Sequence, residues 1–131
     1  MVEMIIVLPI LLMLIFAIAE FSIAFFRWQT VSSAARVGAR EASLFRPSCT
    51  LTVDSAVNQA VEEVLTQAGL TAATPTLTGA CISPGNSQVT LTIPYQFQIL
   101  PNFVAALGGG SGSIDLTATS VMRNEFIGEA T

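Results

Sequence analysis

The stretch MIIVLPILLMLIFAIAEFSIAFF, residues 4–26, is apolar except for Pro9, Glu20 and Ser22, and its reading decides the class of the protein. About 20 apolar residues in a helix span about 30 Å, the thickness of bilayer hydrocarbon. A cleaved signal peptide is one reading. The run exceeds the usual apolar core of about 7–15 residues, however, and no basic residue precedes it. Small-residue sites do follow it, but the chain there continues in a helical pattern. A plain membrane anchor is the other reading. Against it stand Glu3 at the start and Glu20 within the run, because a carboxylate at bilayer depth is costly and usually has a partner or a function.

Beyond the run, residues 27–45, RWQTVSSAARVGAREASLF, contain no Pro and one Gly and keep the helical character. Pro47 ends the element, since the residue before a proline is pushed out of the helical region. One helix over about residues 2–45 would be roughly 65 Å long at 1.5 Å per residue. That is too long for a globule of 13.8 kDa, so its first half is expected to project. Pro9 leaves the Ile5 carbonyl without its helical bond, which predicts a kink or an unwound turn covered by neighbouring helices. Ala34, Gly38 and Ala42 recur four apart, as do Ala35, Ala39 and Ser43. Such a ridge lets helices approach closely. Packing on its own domain and packing between subunits are both open.

The remainder reads as a small α+β head over residues 47–131, behind a helical segment over 1–46 whose apolar part is about 1–26. Residues 52–68 place Val53, Val57, Val61, Val64, Leu65 and Ala68 on one helical face, with Thr52 as N-cap and Gly69 as stop. Then the period changes. In QVTLTIPYQFQI, residues 88–99, every odd position is apolar, which marks a half-buried antiparallel strand. Pro94 has no N–H to give, so this strand should lie at an edge there or bulge. A second alternating run puts Ile114, Leu116, Ala118 and Met122 on one face. A weaker strand is expected over about 75–82, with a turn at Gly85-Asn86 and a short helical turn over 101–107 before GGGSGS at 108–113. The expected head is one helix on a three- to four-stranded antiparallel sheet.

Composition narrows the chemistry. Hydrophobic residues make up 52% and charged residues 11% of the 131 residues, against about 25% charged in an ordinary soluble domain. A wholly soluble globule is therefore disfavoured. With no His, histidine triads and His-ligated zinc are excluded. The five cations are all Arg and the net charge is −4, so no polybasic tract points to nucleic acid. Glu62 and Glu63 are helix neighbours that diverge, and they read as a solvated face rather than an acid–base pair. The glycine loop lacks the lysine and the strand–helix context of a phosphate site. No enzyme and no cofactor are expected.

Cys49 and Cys81 bracket the helix over 52–68. A disulfide between them suits an exported head and would close a loop worth about 3–4 kcal/mol in the chain-entropy model. Two reduced thiols are the alternative, and a metal site lacks further ligands.

Val2-Glu3 opens an apolar helix with Pro9, and AARVGARE at 34–41 follows the run. Together with QVTLTIPYQFQILP, a Gly-rich loop and IDLTATSVMRNE at 114–125, the chain resembles the TadE-like family of type IV pilin-like proteins. The resemblance implies a pilin or minor pseudopilin, processed by a prepilin peptidase and held in the inner membrane. Assembly machinery would then polymerise it into a homo-oligomeric helical filament at the cell surface, serving adhesion, biofilm formation or secretion. It gives Glu3 the role of the pilin carboxylate that neutralises the N-terminal ammonium of a neighbouring subunit. Pilins place that carboxylate fifth, after a short basic leader. Here it is third with no leader before it, so a trimmed chain, a different start or a different processing rule is expected. Glu3, Pro9, Glu20, Ala34, Gly38 and Ala42 are the candidate subunit-assembly residues. A membrane-anchored binding domain that never polymerises, and a minor subunit priming a filament of another pilin, are the alternatives.

Overall fold

The computed structural model describes residues 2–44, 51–70, 75–79, 85–98 and 113–124. Its first element, α1, is a single α-helix, Val2–Ser43, and it runs through Pro9. The expected unwound turn is therefore absent. Proline at that position removes one hydrogen bond, the one to the Ile5 carbonyl, while its fixed φ is compatible with a helix and the flanking turns keep their bonds. The second helix, α2, is Leu51–Gln67. It starts before Thr52, so that residue lies inside the first turn instead of capping it.

At its other end, Gly69 takes a φ of +68°, a left-handed conformation without penalty in glycine. The Leu70 N–H donates to the Leu65 carbonyl at 2.9 Å and the Gly69 N–H to the Thr66 carbonyl at 3.0 Å. This pair of bonds is the Schellman closure, which satisfies two carbonyls that the helix end would leave bare.

Three strands follow: β1, Thr76–Thr78; β2, Asn86–Gln96; and β3, Ser113–Arg123. They form one sheet in the order β1-β2-β3. β1 pairs antiparallel with β2, Leu77 opposite Val89. The Thr90 and Thr119 hydroxyls meet at 3.1 Å, and Thr92 and Thr117 at 3.2 Å. One index rises as the other falls, so β2 and β3 are antiparallel as well. β1 ends opposite Thr90; further along that side of β2 no described strand loses a ladder bond to Pro94, which is how a central strand tolerates a proline. β2 alternates as its sequence demands, with Val89, Leu91 and Tyr95 buried. In β3, Leu116 and Ala118 are buried and Met122 half-buried, but Ile114 is exposed. The expected inward face thus begins at Leu116.

The chain divides into two compact units. One comprises Met1–Arg27 with Pro94–Asp115; the other comprises Trp28–Ile93 with Leu116–Thr131. The part of α1 from Trp28 onward thus groups with most of the sheet, and the end of β2 and the start of β3 group with the apolar run. In the larger unit, Val31, Ala35 and Ala39 of α1, Val57, Val61 and Leu65 of α2, Val89 and Leu91 of β2 and Ala118 of β3 form one core. Glu62 and Glu63 are exposed. Cys49, Cys81, the helical turn over 101–107 and the glycine loop at 108–112 lie outside the described residues.

Candidate functional site

From Glu3 to Phe16 every residue of α1 is exposed, on all sides of the helix. Ile5 is 72% and Ile10 64% exposed. A helix that is apolar all round requires an apolar surrounding. The same helix is the one described segment long and apolar enough to cross a membrane. Glu3 and Pro9 both lie in this bare part. Glu3 is its sole charged side chain, since the next along the sequence is Glu20.

Cover begins at Ala17. Ala17, Glu20, Ala24 and Arg27 form a stripe at helical spacing that is half-buried or buried, in contrast to their neighbours. Within this unit the stripe meets the end of β2 and the two residues that follow it. The Gln98 backbone N–H donates to Glu20 Oε1 at 2.6 Å, and Glu20 is only 3% exposed. The distance is short for an N–H···O bond. Two turns along, the Arg27 guanidinium lies 5.0 Å from the centroid of the Tyr95 ring, within cation–π range. Tyr95 and Phe97 stack edge to face at 5.1 Å. Phe97 also forms one wall of a groove of about 700 Å³ whose other walls include Met13, Ala17 and Phe21 of α1. Glu20, which the sequence offers as a contact for a neighbouring subunit, thus has a partner in its own chain, and so does Arg27.

The small-residue ridge is likewise occupied within the chain. Ala34 is fully buried, Ala42 is 3% exposed and Gly38 is buried. A Cβ on Gly38 would lie 2.8 Å from Val61 Cγ2, 3.4 Å from Val89 Cγ1 and 3.5 Å from Val57 Cγ1. Of the two openings for the ridge, packing on its own domain is the one observed. Ala34, Gly38 and Ala42 therefore pack within their own domain. The reason is steric: glycine at 38 brings α1 against α2 and β2 at a separation that any side chain would prevent.

Sequence reasoning missed a buried polar knot at the end of α1. The Ser87 hydroxyl has two acceptors for its one proton, the Ala42 carbonyl at 3.2 Å and Asn124 Oδ1. Asn124 Nδ2 donates to the Gly79 carbonyl at 3.1 Å, and its backbone N–H to the Gly85 carbonyl at 3.0 Å. The Ala42 carbonyl is one of the four that a helix terminus leaves unsatisfied. Ser87 is on the inward phase of β2, two residues before Val89; that parity was the signal available for it. Nothing local marked Asn124, which follows the last strand.

Residues 1–40 of the chain match the family described as TadE-like protein. No curated protein and no solved structure matches the chain.

Proposed function

Taking the TadE-like match over residues 1–40 as the premise, we propose that this Tad pilus-associated protein is a structural subunit of an extracellular filament, polymerising through the first part of α1. The observation that carries the reading is the helix from Glu3 to Phe16, apolar and exposed on every side. A single partner helix covers one stripe of another, so a surface bare all round needs lipid or several neighbours at once. Lipid supplies that cover in the inner membrane, and copies of the same segment supply it after extraction. Burying an exposed apolar side chain of this size is worth about 1.5–3 kcal/mol, and α1 offers many.

Apolar contacts are non-directional, so helices of Ile, Leu and Met slide past one another with little preference. Glu3 removes that freedom. In an apolar core its carboxylate must meet a cation, and the N-terminal ammonium of the adjacent subunit is the one this reading supplies. Only registers that pair the two avoid an isolated buried charge. The head is then displayed outward, for adhesion, biofilm formation or secretion.

The in-chain burial of Ala34, Gly38 and Ala42 removes one argument for polymerisation and favours the competing reading, a single-pass anchor carrying a small binding domain. The two separate on Glu3→Ala. For a filament subunit the variant inserts into the membrane with a folded head but yields few filaments. For an anchor it behaves as the parent, and no filament built of this chain is recovered by shearing cells in either case.

A further inference from the structure

The apolar run is 23 residues if counted from Met4 to Phe26, about 34 Å of helix. The smaller unit does not present all of it to its surroundings. From Ala17 onward one stripe of α1 is half-buried or buried, residues 95–98 contribute to that cover, and this covering segment carries exposed amides. Pro94, Gln96 and Gln98 are exposed, and Gln98 is bound by its N–H to the buried Glu20 carboxylate. Amide groups and non-helical backbone exposed to lipid do not occur within bilayer hydrocarbon, where water is absent. The helix cannot therefore carry this segment into the membrane.

We propose that the lipid-embedded part of α1 ends at Ile18, with Glu20 and the Gln98 segment bound to it at or above the membrane surface. The inference rests on the membrane stage of the function proposed above, and adds where the boundary falls. Three further observations agree with it. Glu3 to Phe16 is exposed on all faces, the pattern of lipid contact, and the pattern stops where the proposal places the boundary. Phe97 lines the groove beside Ala17 and Phe21, so the segment that carries Gln98 meets α1 at the level of the boundary. Arg27, held over Tyr95, is then in the aqueous layer and not within hydrocarbon. Glu20 becomes a positioning residue: its bond to Gln98 holds the polar segment on the helix and so sets the depth of insertion. A consequence follows for assembly. Met4 to Ile18 is about 22 Å long, about 8 Å short of the usual hydrocarbon thickness, so the inserted chain is mismatched and extraction relieves the mismatch.

The single tryptophan, Trp28, is a depth gauge. It lies eight residues past Glu20, about 12 Å along the helix axis, beyond the headgroup layer if the boundary is at Ile18. If residues 4–26 are all embedded, it lies directly at the interface. The full chain is reconstituted in phosphatidylcholine vesicles brominated near the top of the acyl chains, and its fluorescence compared with that in unbrominated vesicles. A second variant, Phe16→Trp with Trp28→Phe, puts the probe inside the proposed span. The expected result is unchanged emission from Trp28 and loss of most of the emission from the tryptophan at 16. Quenching of both places the whole run in lipid and overturns the boundary while leaving the membrane stage intact. Quenching of neither shows no insertion and removes both.

Discussion

Gly38→Ala distinguishes packing within the chain from packing between chains, and the geometry sets its size. The added methyl would meet Val61 Cγ2 at 2.8 Å, against an optimum of about 3.5–4.0 Å between carbons. Val61 and Val89 are fully buried and Val57 nearly so. A valine in a helix has one strongly preferred χ1, so Val61 cannot rotate its methyl away. Either helix must move instead, which costs about 1–3 kcal/mol. Replacing glycine by alanine inside a helix returns about 1 kcal/mol of propensity. The net is a loss of about 1 kcal/mol, or about 4–8 °C in Tm for a head of this size. Gly38→Leu adds three more carbons to the same space and should prevent the head from folding. Val61→Ala alone should cost about 2 kcal/mol by leaving a cavity. Combined with Gly38→Ala, the new methyl enters the vacated volume, so the pair should be more stable than the sum of the singles by about 1 kcal/mol. Thermal unfolding of the full chain in mild detergent, followed by circular dichroism, reads all four. A Tm raised by Gly38→Ala alone, as on a helix face turned away from its own chain, would refute the packing argument, as would strict additivity of the pair.

Glu20→Ala removes the acceptor of the Gln98 N–H; local stability there should fall by about 1–3 kcal/mol, seen as faster hydrogen exchange of that amide. Glu20→Gln keeps a carbonyl oxygen and should restore most of the protection, and equal exchange in all three proteins would show that the bond contributes nothing. Asn124→Ala deletes the side-chain bonds to Ser87 and Gly79, with an expected loss of about 2–3 kcal/mol in urea unfolding; a change below about 0.5 kcal/mol, the level of an ordinary surface site, would contradict the buried knot. Glu3→Ala should leave insertion and the folded head intact while lowering filament yield, with Glu3→Gln milder because an amide still bonds; normal yield from the alanine variant would sink the register role. Cys49 and Cys81 are expected to form a disulfide, so the unreduced protein should show no titratable thiol and reduction should cost about 3–4 kcal/mol.

Local pattern and tertiary placement contributed different things. The period of 3.6 over residues 52–68 and the period of 2 over 88–99 and 114–122 report how each segment must bury its apolar side, and that requirement needs no knowledge of the partner. Helix α2 and strands β2 and β3 were legible for that reason, whereas α1 was legible from the length of its apolar run and the stop at Gly69 from the left-handed conformation glycine allows. β1 was the weakest, because three residues carry too few alternations to stand out. Identity of partner is another matter. A row of Ala34, Gly38 and Ala42 states that something approaches closely, and a subunit or the same chain satisfies it equally. Folding brought α2 and β2 there, with Val61 and Val89 filling the space glycine leaves. Glu20 was legible as a carboxylate in an apolar run that needs a partner. That its partner is the backbone N–H of Gln98, 78 residues away in sequence, was not. A backbone amide carries no signature of its own in the residue string, and only the path of the chain decides which one arrives beside a given side chain.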